Sequence, residues 1–322
     1  MEDKLRVLVA VPFREHHMEA LHAVAGDRAE LRQVSVDPAG EEMRRLLQKA
    51  DAVIGEPALA LLAEGTHVRW VQMTWAGTDL YTRGMVPFPE GVRLTNVAGT
   101  AFGHIISQFV VGQLIAIAQR FPTYARQQER EVWAGAGDVA SLEGANVLIL
   151  GAGDLGGLTA KRLLGFDCHC VGVCRDVLKP RPFFERLVTL DEAETELPKA
   201  DVVVNCLPNT DQTAHWLNER RLRLMKRGAI LANVGRGNFI DCDALARVLA
   251  EGHLRGAALD VTEPEPLPQG HPLWQEPRCF ITPHQAGGSF GKSHGTEDRI
   301  CAVACENLRR FIEGEELTHI VI

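Results

Sequence analysis

The chain has 322 residues, 46% hydrophobic and 24% charged, with Gly and Pro spread along it. That length exceeds what one hydrophobic core usually organises, so two globular domains are expected, and the composition excludes disorder. A net charge of −8 and a pI near 5.9 argue against a surface built to neutralise nucleic-acid phosphates, so any anionic ligand must be met by local charges.

The N-terminal MEDKLRVLVAVP opens with charges of both signs and a strand-length apolar run, without the long apolar core of a signal peptide. Short strands then alternate with helical or loop segments: LRVLVAVP from Leu5, LRQVSV from Leu31, DAVIG from Asp51, VRWVQM from Val68 and VRLTNV from Val92. Strand, connection, strand at this rhythm indicates parallel βαβ units. The stretch from Gly103 to Arg120 reads as one long, mostly buried helix. Its most apolar part, Phe109 to Ala118 interrupted by Gln113, is roughly half of the ~20 residues a membrane span needs. A cytoplasmic protein with no membrane partner is expected.

A second strand series begins at Asn146: NVLILG, VGV at Val171, DVVVNCLP at Asp201, AILANVG at Ala229, AALDV at Ala257 and CFITPH at Cys279. All-apolar cores suit parallel strands buried on both faces. All eight cysteines lie in the second half, whereas a secreted fold would staple both halves. Cys168, His169 and Cys170 mimic a metal site, but alternate strand residues face opposite ways and no second ligand pair follows, so no metal is expected. After Gly288 the chain turns helical again, with Ile300, Val303, Ala304, Leu308 and Phe311 at helical spacing, so the C-terminus is expected to pack on the first domain. The expected fold is α/β with two Rossmann-like or flavodoxin-like parallel-sheet domains. A dinucleotide-binding domain over 100–290 is inserted into a substrate domain built from 1–99 and 291–322.

GAGDLG, Gly151 to Gly156, fits G-x-G-x-x-G directly after the apolar run VLIL and before a helix-compatible segment. Gly151, Gly153 and Gly156 would allow a tight turn and close approach to a pyrophosphate, and the helix beginning around Asp154 and Leu155 would offer free amide donors. Asp154 must then point outward. About 20 residues on, an acidic side chain would grip the ribose of NAD. Here that slot falls on Cys174, followed by Arg175 and Asp176. Loss of the carboxylate and the adjacent guanidinium favour NADP(H), with NAD(H) possible; in the alternative, Arg175 is merely solvated and Asp176 takes the ribose.

AGTD at Ala76, GAGDLG at Gly151, NVGRG at Asn233, AALDVTEPEPLP at Ala257 and TPHQAGGS at Thr282 follow one another as in the D-isomer-specific 2-hydroxyacid dehydrogenase family, which the chain resembles over nearly its whole length. The resemblance implies catalytic roles for Arg236, Glu265 and His284, an aspartate near the nicotinamide at Asp260, and a carboxylate-binding loop around Ala76 and Gly77. Leu207, Pro208, Val234 and Gly235, at the ends of neighbouring strands, complete the cofactor-lining candidates.

Those roles suit the residue types. Arg236, between Gly235 and Gly237 after a strand, can project from the carboxyl edge of the sheet, where its planar fork matches a 2-oxo carboxylate. His284 closes the strand CFITPH, and an imidazole transfers protons near neutral pH. Glu265, between Pro264 and Pro266, is selected over Glu263 by the family pattern of a glutamate immediately before Pro-Leu. A carboxylate hydrogen-bonded to His284 would favour the imidazolium.

The chain departs from the pattern at Gln285, where the family more often has an apolar residue, and at Gln108, commonly glutamate. Trp75, Thr78, Asp79 and Tyr81 are the handles on the substrate side chain, and they leave glyoxylate, hydroxypyruvate and larger 2-oxo acids open. Formate or phosphite oxidation on the same fold is disfavoured by the intact Arg, Glu and His set. A nucleotide-sensing, co-repressor-like protein with little turnover is the alternative outside enzymes. A homodimer is expected from the resemblance and from the apolar stretch before the charged segment Arg126 to Glu131.

Overall fold

A computed structural model describes residues 4–64, 66–83 and 86–322. The chain divides into two compact units, residues 1–102 with 288–322, and residues 103–287. Each junction lies three residues from the sequence expectation, at 102 against 99 and at 287 against 290.

In the first unit, Leu5–Val9 (β1), Ala29–Gln33 (β2), Ala52–Ile54 (β3), Trp70–Gln72 (β4) and Arg93–Thr95 (β5) form a parallel sheet ordered β2-β1-β3-β4-β5. This is the flavodoxin-like order. Helices Glu15–Ala25 (α1), Glu41–Leu47 (α2), Leu59–Ala63 (α3) and Asp79–Thr82 (α4) make the connections. Every residue of β3 and β4 is buried, which is why AVI and WVQ carry no charge. The register Val9↔Ile54, Ile54↔Gln72 and Gln72↔Thr95 aligns the carboxyl ends of four strands, so the turns after them share one sheet edge.

In the second unit, Gly103–Ala118 (α5) and Phe121–Glu129 (α6) precede Asn146–Leu150 (β6), Asp154–Leu163 (α7), His169–Val173 (β7), Arg186–Val188 (β8) and Val202–Asn205 (β9). Glu219–Leu224 (α8), Ile230–Asn233 (β10), Cys242–Ala250 (α9), Gly256–Leu259 (β11) and Cys279–Ile281 (β12) follow. The parallel sheet is ordered β12-β11-β10-β9-β6-β7-β8, a doubly wound arrangement whose order reverses between β6 and β9. Val147 and Ile149 join one core with Val110 and Leu114 of α5 and Leu163 of α7. Leu148 and Leu150 join the opposite core with Leu222 of α8 and Leu245 and Val248 of α9. Both faces are covered, so the strand period of two leaves residues 147–150 of β6 apolar on either side. Truncating Ile149, fully buried, to alanine should cost about 2–5 kcal/mol.

Two features differ from the sequence reading. The helix expected to reach Arg120 ends at Ala118, because Arg120 is left-handed (φ 62°) and Pro122 opens α6, which departs at 68°. The edge strand β8 was not expected, since its Arg186 and short length hide it. After the second unit, His294–Glu313 (α10) rejoins the first, as its spacing implied. Its Ile300, Val303, Ala304 and Leu308 are buried, Phe311 lies 5.2 Å from Trp70 between ring centroids, and Asn307 donates to Gln72 Oε1 at 2.7 Å. No single described helix is long and apolar enough to cross a membrane.

Candidate active site

The glycine turn sits at the reversal point of the second sheet. Gly151 has φ 107°, and a Cβ there would meet the carbonyl of Cys206, at the end of β9, at 3.1 Å. Gly156 packs so closely that a Cβ would stand 2.0 Å from the Gly151 carbonyl oxygen. Gly153 opens α7 and has nothing within 4 Å of its Cβ position. A helix N-terminus behind a turn stripped of side chains fits a dinucleotide pyrophosphate. Asp154 is exposed and its carboxylate lies against Gly103, the first residue of α5, where a helix N-terminus accommodates negative charge.

At the end of β7, the Cys174 thiol donates to Asp176 O (3.2 Å) and Asp176 Oδ1 accepts from Leu178 N (3.1 Å). Arg175 is exposed. In the Cys168-His169-Cys170 segment both cysteines are buried, and His169 pairs with Glu185 at 2.6 Å. Among the described residues, His16, His17 and Asp298 in the first unit do cluster, but Arg14 already donates to the same Asp298 oxygen at 3.0 Å.

Arg236 follows β10 in a turn that both neighbouring glycines make possible. A Cβ on Gly235 would lie 2.6 Å from Leu207 O, and one on Gly237 would lie 1.9 Å from Thr262 O. Beneath the turn, two fully buried asparagines replace absent backbone partners. Asn205 Nδ2 donates to Asn233 Oδ1 (2.9 Å) and Asn233 Nδ2 to Arg236 O (3.0 Å), while Gly235 N and Leu207 N donate back at 3.2 and 3.1 Å. Val234 and Gly235 thus approach the segment of Leu207 and Pro208 with little freedom. Neither asparagine stood out in the sequence; an Asn ending each of two adjacent apolar strands was the available signal.

His284 and Glu265 form a pair, with His284 Nδ1 2.6 Å from Glu265 Oε1. If Nδ1 carries the proton donated to Glu265, Nε2 is the ring atom that exchanges protons with a ligand. Both side chains are about half exposed. Glu263, the sequence rival, bonds His215 instead. His284 adopts φ 53° and its N donates to Asp260 O at 2.8 Å. Asp260, 4% exposed, accepts from Thr282 Oγ1 (2.7 Å), Gln285 N (2.8 Å) and Ala286 N (3.0 Å), so its carboxylate holds the segment that presents His284. Gln285 and Gln108 turn their side-chain amides to backbone carbonyls, of Pro283 and His104 respectively, each at 3.2 Å.

Ala76 and Gly77 lie in the first unit, in the turn after β4. Asn96 Nδ2 donates to Ala76 O (2.9 Å), and Glu56 Oε1 accepts from Thr74 N (2.6 Å) and Thr74 Oγ1 (3.0 Å). Burial holds the Glu56 carboxyl above the usual carboxylate range, against hydrogen bonds from Thr74 and Trp75 that pull it down. Trp75 is exposed and stacks on Phe102, whereas Tyr81 is buried with its hydroxyl on Pro57 O at 2.7 Å. Of the proposed handles on a substrate side chain, Tyr81 is therefore committed to packing.

The family model described as D-isomer specific 2-hydroxyacid dehydrogenase, NAD binding domain, matches residues 111–286. A glyoxylate reductase of Thermofilum pendens is 32% identical over 298 residues, 86% of this chain and 83% of that protein. The crystal structure of a D-isomer specific 2-hydroxyacid dehydrogenase family protein from Aeromonas salmonicida subsp. salmonicida is 32% identical with TM-score 0.86, covering 99% of each chain. That of a D-isomer specific 2-hydroxyacid dehydrogenase from Xanthobacter autotrophicus, in complex with NADPH and MES, is 26% identical with TM-score 0.78 over 99% of this chain and 98% of that one.

Proposed function

The chain belongs to the D-isomer-specific 2-hydroxyacid dehydrogenase family, and on that premise we propose that it reduces a small 2-oxo acid to the D-2-hydroxy acid with His284 as general acid. The observation that carries this reading is the 2.6 Å contact of Glu265 with His284 Nδ1, in the same unit as the glycine turn and Arg236. A nicotinamide cofactor, held by the Gly151–Gly156 turn and the N-terminus of α7, would supply the hydride for C2 of the oxo acid. Arg236 holds the substrate carboxylate and stabilises charge developing on the C2 oxygen. His284 Nε2 delivers a proton to that oxygen, completing the hydroxyl, and Glu265 stabilises the ring while it carries the proton.

NADPH is the preferred cofactor in this reading. Cys174 offers no carboxylate to the ribose, and Asp176 already spends Oδ1 on Leu178 N. Arg175 is then the group for a 2′-phosphate, worth roughly 1.5–3 kcal/mol, a ten- to hundredfold bias. The active species is a homodimer, supported by Phe121, Tyr124, Val132 and Trp133, which expose apolar surface on and after α6. Sedimentation giving only a 35.4 kDa species would overturn the dimer.

The deciding experiment measures kcat/KM with NADPH and NADH across glyoxylate, hydroxypyruvate and larger 2-oxo acids, with chiral analysis of the product. The reading expects D product, an NADPH preference and its loss in Arg175→Ala. Mainly L product contradicts the stereochemical assignment, and a preference for NADH contradicts the role of Arg175. Tight cofactor binding without turnover on any acid favours the nucleotide-sensing alternative.

A further inference from the structure

The segment Val261–Leu267 carries two glutamates, and each meets a different imidazole. Glu265 takes His284 Nδ1, while Glu263 takes His215 Nε2. Thr262, just before them, donates twice into the segment: its Oγ1 to Pro264 O at 2.9 Å and its N to Glu265 Oε2 at 3.4 Å. The Thr262 carbonyl is the atom against which Gly237 packs, so the glutamate segment and the Arg236 turn abut backbone to backbone.

His215 is built into the same junction. It is held at φ 48°, its N donates to Asn238 O at 2.7 Å, and Asn238 Nδ2 donates to Asn209 Oδ1 at 2.6 Å. Two residues on, Leu217 forms a parallel bridge with Ile240 and donates to Phe239 O at 3.0 Å. The backbone of His215 is thereby fixed to the segment that bears Arg236, and its ring is fixed to the segment that bears Glu265.

We propose that His215 is a positioning residue which, through Glu263, holds Glu265 in register with His284. This rests on reading Glu265 and His284 as the acid–base pair. Both members of the His215–Glu263 pair are exposed, with side chains 62% and 44% accessible, and exposed ion pairs stabilise folds little. Geometry is therefore where the pair acts: a displacement of about 1 Å can cost a catalytic constellation up to about a hundredfold.

The test compares parent, His215→Leu, His215→Gln and Glu263→Leu. His215→Leu should lower kcat about tenfold with the cofactor KM and Tm unchanged. His215→Gln, whose amide can still donate to Glu263, should recover most of the loss, and Glu263→Leu, which removes the acceptor, should behave as His215→Leu does. In a Glu265→Gln background the His215→Leu loss should vanish, because there is no longer a carboxylate to position. An unchanged kcat, a loss that tracks a fall in Tm, or a full loss in the Glu265→Gln background overturns the proposal. A crystal structure of His215→Leu reads the same claim without turnover. Glu265 displaced from His284 Nδ1 supports it, and the parent contact retained overturns it. A parent inactive on every 2-oxo acid would instead defeat the functional reading, with that crystal structure still deciding the positioning role.

Discussion

After its first strand the first unit runs Ala10-Val11-Pro12-Phe13 into a helix that begins behind Arg14, whereas the second unit runs Gly151-Ala152-Gly153 into α7. Both turns leave a parallel strand and enter a helix, yet they suit different contents. In the first, Gln33 Nε2 donates to the carbonyls of Val11 and Phe13 at 2.9 Å, and Arg14 is drawn to Glu297 and Asp298 at 2.8 and 3.0 Å. The carbonyls of this turn are taken up by a side chain from the neighbouring strand β2. In the second, missing side chains leave amides and a helix N-terminus to face a ligand. On the proposed reading the same architecture hosts a cofactor where the glycines stand, so function is argued from the site and not from the fold.

The comparison breaks most sharply at Gly156. In Gly156→Ala the new Cβ meets a backbone oxygen at 2.0 Å, an atom that cannot swing away. Overpacking of about 1–3 kcal/mol at this turn should raise the cofactor Kd about ten- to hundredfold, read by fluorescence titration. An unchanged Kd would mean that this turn does not cradle the cofactor.

Both units also place a carboxylate at a sheet edge to hold a loop: Asp260 grips residues 282–286, and Glu56 grips Thr74 and Trp75 ahead of Ala76. Asp260→Asn turns one acceptor toward a backbone donor, a mismatch of about 1–3 kcal/mol. We expect kcat to fall about tenfold with cofactor Kd nearly constant; equal losses in both would assign Asp260 to the cofactor instead.

Glu56→Gln should act more weakly, costing about 0.5–1.5 kcal/mol of stability, the worth of one weakened hydrogen bond. It also carries a sign in pH. A carboxyl raised on folding favours the folded state at low pH, and that contribution is lost as pH rises through the folded value. Parent stability relative to Glu56→Gln should therefore fall as pH rises above the ordinary carboxylate value, measured by urea unfolding at a series of pH values. A flat difference would show that burial does not control this group.

Much of this was legible in the sequence because the signals were repetitive. Runs such as VLIL and VVVN mark strands buried on both faces, and G-x-G-x-x-G has one backbone use in that context. Gly235 and Gly237 around Arg236 announced a tight turn. The break at Arg120 was obscured by continuous apolarity up to Ala118, and β8 by its three residues around Arg186. The holding roles of Asp260, Asn205, Asn233 and His215 were not legible, because their partners are backbone groups or residues distant in sequence, and such partners leave no pattern.

The most direct test of the acid–base assignment measures turnover and cofactor affinity on the same preparations of the parent and His284→Ala. Removal of the general acid should lower kcat by about a hundredfold or more, with cofactor Kd nearly intact. Turnover equal to the parent's would remove His284 from the mechanism and, with it, the account of how this chain handles a 2-oxo acid.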